Sequence, residues 1–385
     1  MTIGFLGINS KSVSHSILFE KINHSCLFYD TDENSIFNLN NKFLPNVEQD
    51  INIDLVNTKK ISGSTSVTDV IQNSDLIFHF IDCPANSDNT IDITEIFDVL
   101  QYFYLSSHLD IQLFGKKFIL STVLNPGDSK IIHEKISQFG LQYAYLPNFL
   151  TEGEIYKSLV NREFTVIGTN SSDLSNVVSN LFRQIKKHDS EIHIMSPESA
   201  EMVKFGISSI VSNKIVVSNI IGDMLISMGL EKEIPIVLDS ISKDKRIGTQ
   251  KLKYGLGFGG PHLGKELRAF SEFAKSKKLE INIFDEINKA NDEHTTFLKY
   301  YYMTLNPNKN VPFVLDRITY KIGSDVVEDS QRFKLCLELL NEGYSVNVLE
   351  NINISDNFIK LSESFENRLK FFGVGSKPNG VNIKL

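Results

Sequence analysis

The chain is 385 residues long, with 41% hydrophobic and 22% charged side chains, a balance typical of soluble globular proteins that excludes a disordered tail. At roughly 100–200 residues per domain it makes two or three domains. The net charge of −8 excludes a general binder of nucleic acid or of an anionic membrane, since neutralising phosphates needs a basic face.

The three cysteines, Cys26, Cys83 and Cys336, contain no CxxC pair. No metal site and no disulfide framework is therefore expected, and the count suits a reducing, cytoplasmic setting. The start, TIGFLGINS, has no basic region before its short apolar run, unlike a signal peptide. The apolar stretch IVSNKIVVSNIIGDMLISMGL is interrupted by Lys214, Asn219 and Asp223, which argues against a membrane span.

The first third alternates strand and helix patterns. Ile3 to Leu6 is a short apolar run ending in Gly7, Ser12 to Lys21 reads as a helix, and Cys26 to Tyr29 is a second strand ending at Asp30. Further strands are expected at Asp75–Ile81, Lys117–Leu120 and Phe164–Ile167. Strands spaced by helices imply a parallel sheet covered on both faces. From Ser196 to Met228 the period is helical, with Pro197 at the first turn and Gly229 after the last. So long a helix spans between domains or forms a dimer core. Shorter helices follow around 261–276 and 285–303. The segment NPNKNVPFVLD reads as a linker and strand, Ser330–Gly343 as a helix, and Tyr344–Leu349 as a strand, a second and shorter β-α-β fragment.

A strand ending in Gly7, a helix, and a second strand ending in Asp30 is the outline of a dinucleotide fold. The expected loop is G-x-G-x-x-G, and only Gly7 of the three glycines is present in Gly7-Ile8-Asn9-Ser10-Lys11-Ser12. Asn9 tolerates a left-handed backbone and Ser12 is small, so both can stand in for glycine. Ser10, Lys11 and Ser12 can donate to phosphate at the helix N-terminus. Asp30 is placed to accept from a ribose hydroxyl, which favours NAD over NADP. The plainer alternative is an ordinary βα turn with a surface aspartate.

Further segments resemble the UDP-glucose/GDP-mannose dehydrogenase family. They are STV at 121–123, PNFLTEG at 147–153 with NREFTVIG at 161–168, AEMVKFGISSIVSNKI at 200–215, RIGTQKLKYGLGFGGPHLGKE at 246–266 and, more weakly, YKIGSDVVEDS at 320–330. The glycine-rich run at 255–260 is the most specific. The resemblance implies an α/β protein with a Rossmann-like NAD domain over 1–190, a central helical dimerisation region over 191–305, and a short Rossmann-like nucleotide-sugar-binding domain over 306–385. It implies a nucleotide-sugar substrate, NAD as cofactor and a homodimer. Members of the family oxidise a sugar C6 alcohol to a carboxylate with two NAD, through a thioester on a cysteine.

Carried over residue by residue, the resemblance implies that Thr122 lies beside cofactor and substrate, that Glu152 is the second glutamate of its segment, and that Lys204 and Lys265 support a developing oxyanion. Asn148, next to Phe149, stands where an acid–base glutamate is expected, and Ser208 where an asparagine is. His262 occupies the place of the nucleophilic cysteine and Glu266 that of an aspartate. Arg246 resembles an arginine that reaches the partner's sugar site. Gly255, Gly257, Gly259 and Lys321 belong to the sugar-binding motifs, whereas Glu328 replaces an arginine near the nucleotide. Each position also has a bland reading. Lys204 and Arg246 can be surface charges, Glu152 a helix cap, His262 a polar loop residue, and the glycines a flexible loop.

With the cysteine and first glutamate gone, the apparatus for a thioester is missing. A two-electron oxidation remains open. So do a silent nucleotide-sugar-binding homologue and a four-electron enzyme in which His262 replaces the thiol.

Overall fold

In the computed structural model, all residues are described except 46, 109–112, 152, 186–189, 321–326, 351–362, 366–367 and 384–385. Glu152 and Lys321 therefore lie outside the described residues. Two compact units divide at Gly206 and Ile207, inside the helix Pro197–Ser227.

The first unit carries eight strands, β1 (Thr2–Leu6), β2 (Ser25–Tyr29), β3 (Ile61–Gly63), β4 (Leu76–His79), β5 (Lys117–Leu120), β6 (Gln142–Tyr145), β7 (Phe164–Gly168) and β8 (Glu191–Met195). They lie in the order β3-β2-β1-β4-β5-β6-β7-β8. The first six follow the doubly wound dinucleotide-binding order, with β1 at the point where the strand order reverses. Ile3 sits in register with Cys26 on one side and Leu76 on the other. Among the described strands of this sheet, β6 and β7 run antiparallel, where Tyr145 faces Gly168, and the other neighbours are parallel.

Alternation along the strands buries both faces of the sheet. Phe5 stacks on Phe28 with ring centroids 4.7 Å apart. Val13, Ile17 and Phe19 of the helix Ser10–Lys21, with Leu174, Val178 and Phe182 of the helix Ser172–Ile185, join that core. On β5, Ile119 belongs to the same core, while its neighbour Phe118 meets Phe103 of the helix Thr94–His108 edge-on.

The second unit carries a smaller parallel sheet, β9 (Phe313–Leu315), β10 (Val346–Leu349), β11 (Leu369–Phe372) and β12 (Val381–Asn382), in the order β11-β10-β9-β12. The central helices and this sheet lie within the same compact unit. The helix Ile283–Leu305 gives Leu298 and Tyr302 to the core formed by Phe313, Leu315, Leu335 and Val346. An amphipathic helix must bury its apolar stripe somewhere, and here the small sheet supplies the surface.

The helix Pro197–Ser227 is long and apolar enough to cross a membrane by length and composition. Its polar residues are instead engaged by the protein. Lys214 Nζ donates to the Ile247 carbonyl at 3.0 Å, and Asp223 accepts from Tyr254 at 2.7 Å.

Candidate active site

The first βα turn is built by backbone contacts. Gly7 has φ +97°, and a Cβ there would sit 3.0 Å from the Ile81 backbone nitrogen, so a side chain is excluded on two counts. Asp30, at the end of β2, accepts from Ile8 N at 2.7 Å and from Asp32 N at 2.9 Å. It is thus oriented by the turn it faces, and an ionised carboxylate retains acceptor capacity for a ribose hydroxyl.

Asn9 departs from expectation. Its backbone is extended, with φ −153°, and not left-handed. It caps the helix Ser10–Lys21: its Oδ1 accepts from Lys11 N and Ser12 N, each at 3.0 Å. Ser12 Oγ accepts in return from Asn9 N at 3.0 Å, completing a capping box. Two helix-terminal N–H groups expected to serve phosphate are therefore already bonded within the protein. Lys11 Nζ lies 3.2 Å from Asp82, and Ser12 is fully buried. The turn fits NAD at its ribose end, through Gly7 and Asp30. At the helix N-terminus the backbone donors of Lys11 and Ser12 are already engaged by Asn9, and Lys11 Nζ is paired with Asp82.

Beyond β5 lies Thr122. It is buried, and its Oγ1 makes no hydrogen bond among the described residues. A shielded hydroxyl without a partner is costly, and a ligand at the strand end would satisfy it. Asn148 Nδ2 donates to the Ser121 carbonyl at 3.0 Å and to Ser121 Oγ at 2.9 Å. An ionised glutamate has no hydrogen to make either bond, so asparagine here acts as a tie to β5. Phe149 packs on Phe164 with centroids 5.0 Å apart, and Lys204 Nζ lies 5.9 Å from the Phe149 ring centre.

Glu201 escaped the sequence reading. Its carboxylate is fully buried and accepts from Gly127 N at 2.6 Å and Ser129 N at 2.7 Å, at the start of the helix Asp128–Ser137. Positive charge at a helix N-terminus favours the anion, yet burial dominates and pushes the carboxyl up to about 7. The available signal was a glutamate at a position where the apolar stripe of AEMVKFG would bury it. Through this contact, the helix bearing Lys204 is tied to the loop that follows Thr122.

In the second unit, the glycine-rich segment serves backbone packing. Gly260 has φ +84°, donates to the Glu328 carbonyl at 3.0 Å, and lies so close to Tyr320 that a Cβ would come within 2.6 Å of its ring. Gly257 and Gly259 likewise face Asn291 and Asp329. Gly255 N donates to Asn219 at 3.0 Å, and its carbonyl lies 2.6 Å from His294 Nε2. His294 Nδ1 in turn faces Asp223 at 2.7 Å. Asp223, Asn219, Asn291 and His294, spread over two helices, thus hold the segment, and none was legible as a site residue from local pattern.

His262 directly precedes the helix Leu263–Ser276, and its carbonyl accepts from Glu266 N at 2.8 Å. Lys265 and Glu266 are both buried in that first turn. Ser208 Oγ donates to Glu266 Oε2. Arg246 is exposed and forks onto Asp244, with Nη2 to Oδ2 at 2.6 Å.

All three cysteines are buried. The Cys26 and Cys336 thiols are pushed upward by burial, Cys336 to about 12. These are inert core thiols, and residues 255–266 contain no cysteine.

Residues 1–186 match the model of the UDP-glucose/GDP-mannose dehydrogenase family, NAD binding domain, and residues 198–293 match the same family's central domain. The chain belongs to the UDP-glucose/GDP-mannose dehydrogenase family. NAD is accordingly the cofactor of its first domain, and the family's members are oxidoreductases of nucleotide sugars. Similar proteins include a UDP-glucose 6-dehydrogenase of Rickettsia bellii, 23% identical over 364 residues that cover 92% of this chain and 82% of that one. The UDP-glucose 6-dehydrogenase of Rickettsia felis is 23% identical over 391 residues, 100% of this chain and 85% of the other. Among solved structures, a UDP-glucose dehydrogenase from Pyrobaculum islandicum superposes with a TM-score of 0.85 at 19% identity, covering 96% of this chain and 85% of that one. That similarity extends the family fold across both units.

Proposed function

We propose that this member of the family oxidises the C6 alcohol of a UDP-sugar by two electrons and releases an aldehyde. The observation that carries the reading is the missing thiol: position 262 is histidine, and every cysteine is a buried core residue. Without a thiolate no thioester forms, and an aldehyde has no covalent route onward. The UDP-sugar class follows from the names of the relatives, UDP-glucose 6-dehydrogenases.

In this reading Asp30 and Gly7 hold the NAD ribose and first turn, with Lys11 near the pyrophosphate. NAD, when bound, supplies the hydride acceptor. Lys204 and Lys265 stabilise negative charge on the substrate oxygen, and His262 or Glu152 takes the hydroxyl proton. Thr122, Asn148, Phe149, Ser208 and the segment Gly255–Gly259 shape the sugar site, and Lys321 contacts the nucleotide. Arg246 completes the site of a second copy in a homodimer. The dimer reading is supported by the exposed apolar side chains Ile210, Val217, Ile220 and Met224 along the long helix, with Met228 just past its end.

A second reading, a silent nucleotide-sugar-binding protein, is favoured by one feature. The backbone donors of Lys11 and Ser12 are consumed by Asn9. One experiment separates the readings: NADH formed per sugar consumed across UDP- and GDP-sugars, with the product identified by mass. One NADH with an aldehyde supports the proposal. Two NADH with a carboxylate overturns it, as does sugar-nucleotide binding with no NADH.

A further inference from the structure

The first unit contains a cavity of about 280 Å³ lined by His15, Asn148, Phe149, Ser158, Arg162 and Glu163, among others. Arg162 lies in the segment NREFTVIG and His15 on the helix Ser10–Lys21, but neither takes a cofactor- or sugar-binding role in the proposed reaction. Arg162 Nε donates to the Leu159 carbonyl at 2.9 Å, and Nη1 only grazes Thr165 Oγ1 at 3.5 Å. Its Nη2 is shielded from solvent and has no hydrogen-bond partner among the described residues. Phe182 covers one face of the guanidinium at 4.4 Å, which satisfies the π-face but not the N–H edge. Among the described residues no carboxylate forms an ion pair with Arg162. Burial holds the guanidinium down at about 9, so it is still charged at neutral pH. A desolvated cation without a counter-ion is an expensive arrangement.

His15 supplies the complementary group. Its Nδ1 faces the Lys11 carbonyl at 2.7 Å, which makes Nδ1 the donor and leaves Nε2 a bare acceptor. Burial and the nearby Arg162 keep the ring neutral, with its titration pushed down to about 3. Among the described residues, the lining of the cavity therefore holds one cationic group without a partner, Arg162 Nη2, and one acceptor without a partner, His15 Nε2. Glu163 in the lining disfavours a second negative charge on any occupant.

We infer that this cavity is a binding site for a small hydroxylated monocarboxylate, whose carboxylate pairs with Arg162 and whose hydroxyl donates to His15. Its volume sits near the lower bound of roughly 300–1,000 Å³ for small-molecule pockets, too small for a dinucleotide. A carboxylate oxygen is the acceptor that a charged guanidinium N–H binds most strongly. Asn148 and Phe149 in its lining also belong to the proposed sugar site, whereas recognition by Arg162 and His15 goes beyond the proposed reaction.

The test is isothermal titration of the full chain with glycerate, propionate, glycerol and inorganic phosphate. Glycerate is expected to bind saturably, propionate about tenfold more weakly for want of the hydroxyl bond, and glycerol not at all. Arg162→Met should abolish glycerate binding while retaining the circular dichroism spectrum and NAD affinity of the parent. His15→Phe should make glycerate and propionate equal, and it decides the matter if Arg162→Met does not fold. Absence of binding by every probe, unchanged binding in Arg162→Met or unchanged glycerate preference in His15→Phe, or tighter binding of phosphate than of glycerate, each overturns the site.

Discussion

Ser208 Oγ donates to Glu266 Oε2, joining two buried side chains 58 positions apart on two helices of the second unit. The family resemblance places asparagine and aspartate at these positions. Relative to those residues serine is shorter and glutamate longer, so the two differences offset each other in length across this bond. Ser208→Ala should cost about 1–3 kcal/mol, because Glu266 is left buried with a lost donor. Ser208→Asn and Glu266→Asp should each destabilise singly, one by overpacking and one by leaving a gap. Together they should recover part of the loss, with a coupling of roughly 0.5–3 kcal/mol. Urea unfolding of the four proteins measures it, and simple additivity would show that the pair is not size-compensated.

Glu201 gives a pH prediction. Its folded value, about 7, lies above the ordinary 4.5 because burial disfavours the anion. The folded state therefore holds its proton longer than the unfolded chain does. Its contribution is fully present below about pH 4.5 and is lost as pH rises through about 7. The loss is on the order of 3 kcal/mol. Glu201→Gln, which keeps an oxygen acceptor, should flatten the fall in stability between pH 5 and pH 8, and an unchanged slope would assign the dependence elsewhere.

Gly7→Ala tests the first turn. The left-handed φ of +97° and the Ile81 backbone nitrogen both oppose a methyl group. A stability loss of about 1–3 kcal/mol is expected, together with weaker NAD binding in a fluorescence titration. Wild-type stability would mean that the turn relaxes freely.

The long helix gives the oligomer prediction. Met224 is 61% exposed on a stripe shared with Ile220 and Met228. Met224→Asp should convert a dimer to a monomer by light scattering and make the melting temperature independent of protein concentration. A monomeric parent protein would remove the basis for the dimer.

Arg246 gives a second test of the dimer. It is exposed and bonded only to its near neighbour Asp244 in the described contacts. Arg246→Ala should leave the melting temperature unchanged, since such surface pairs contribute little. If Arg246 serves a partner's site, kcat/KM for the sugar nucleotide should nevertheless fall by on the order of tenfold or more. Retained activity assigns Arg246 to the solvated surface.

What the sequence alone determined was what depends on near neighbours. Strand alternation in Ile3–Leu6 and the helical period from Pro197 come from hydrogen bonding and side-chain direction within a few residues. Gly7 and Asp30 were readable because a βα turn is a local device, and the missing thiol because composition needs no coordinates. The tertiary structure alone decided which polar groups meet. It capped the helix with Asn9 in place of a left-handed turn, tied Asn148 to Ser121, set Glu201 on the helix at Asp128, and closed the glycine-rich segment onto Glu328 and Asn291. The longer-range ties pair groups from 27 to more than 70 positions apart, set by how helices and strands pack, and no periodicity encodes them. Asn9 was local but ambiguous, since its short amide can either adopt the left-handed region or cap a helix. Asn9 Nδ2 donates to the Phe80 carbonyl at 2.8 Å, which holds the side chain in the capping position.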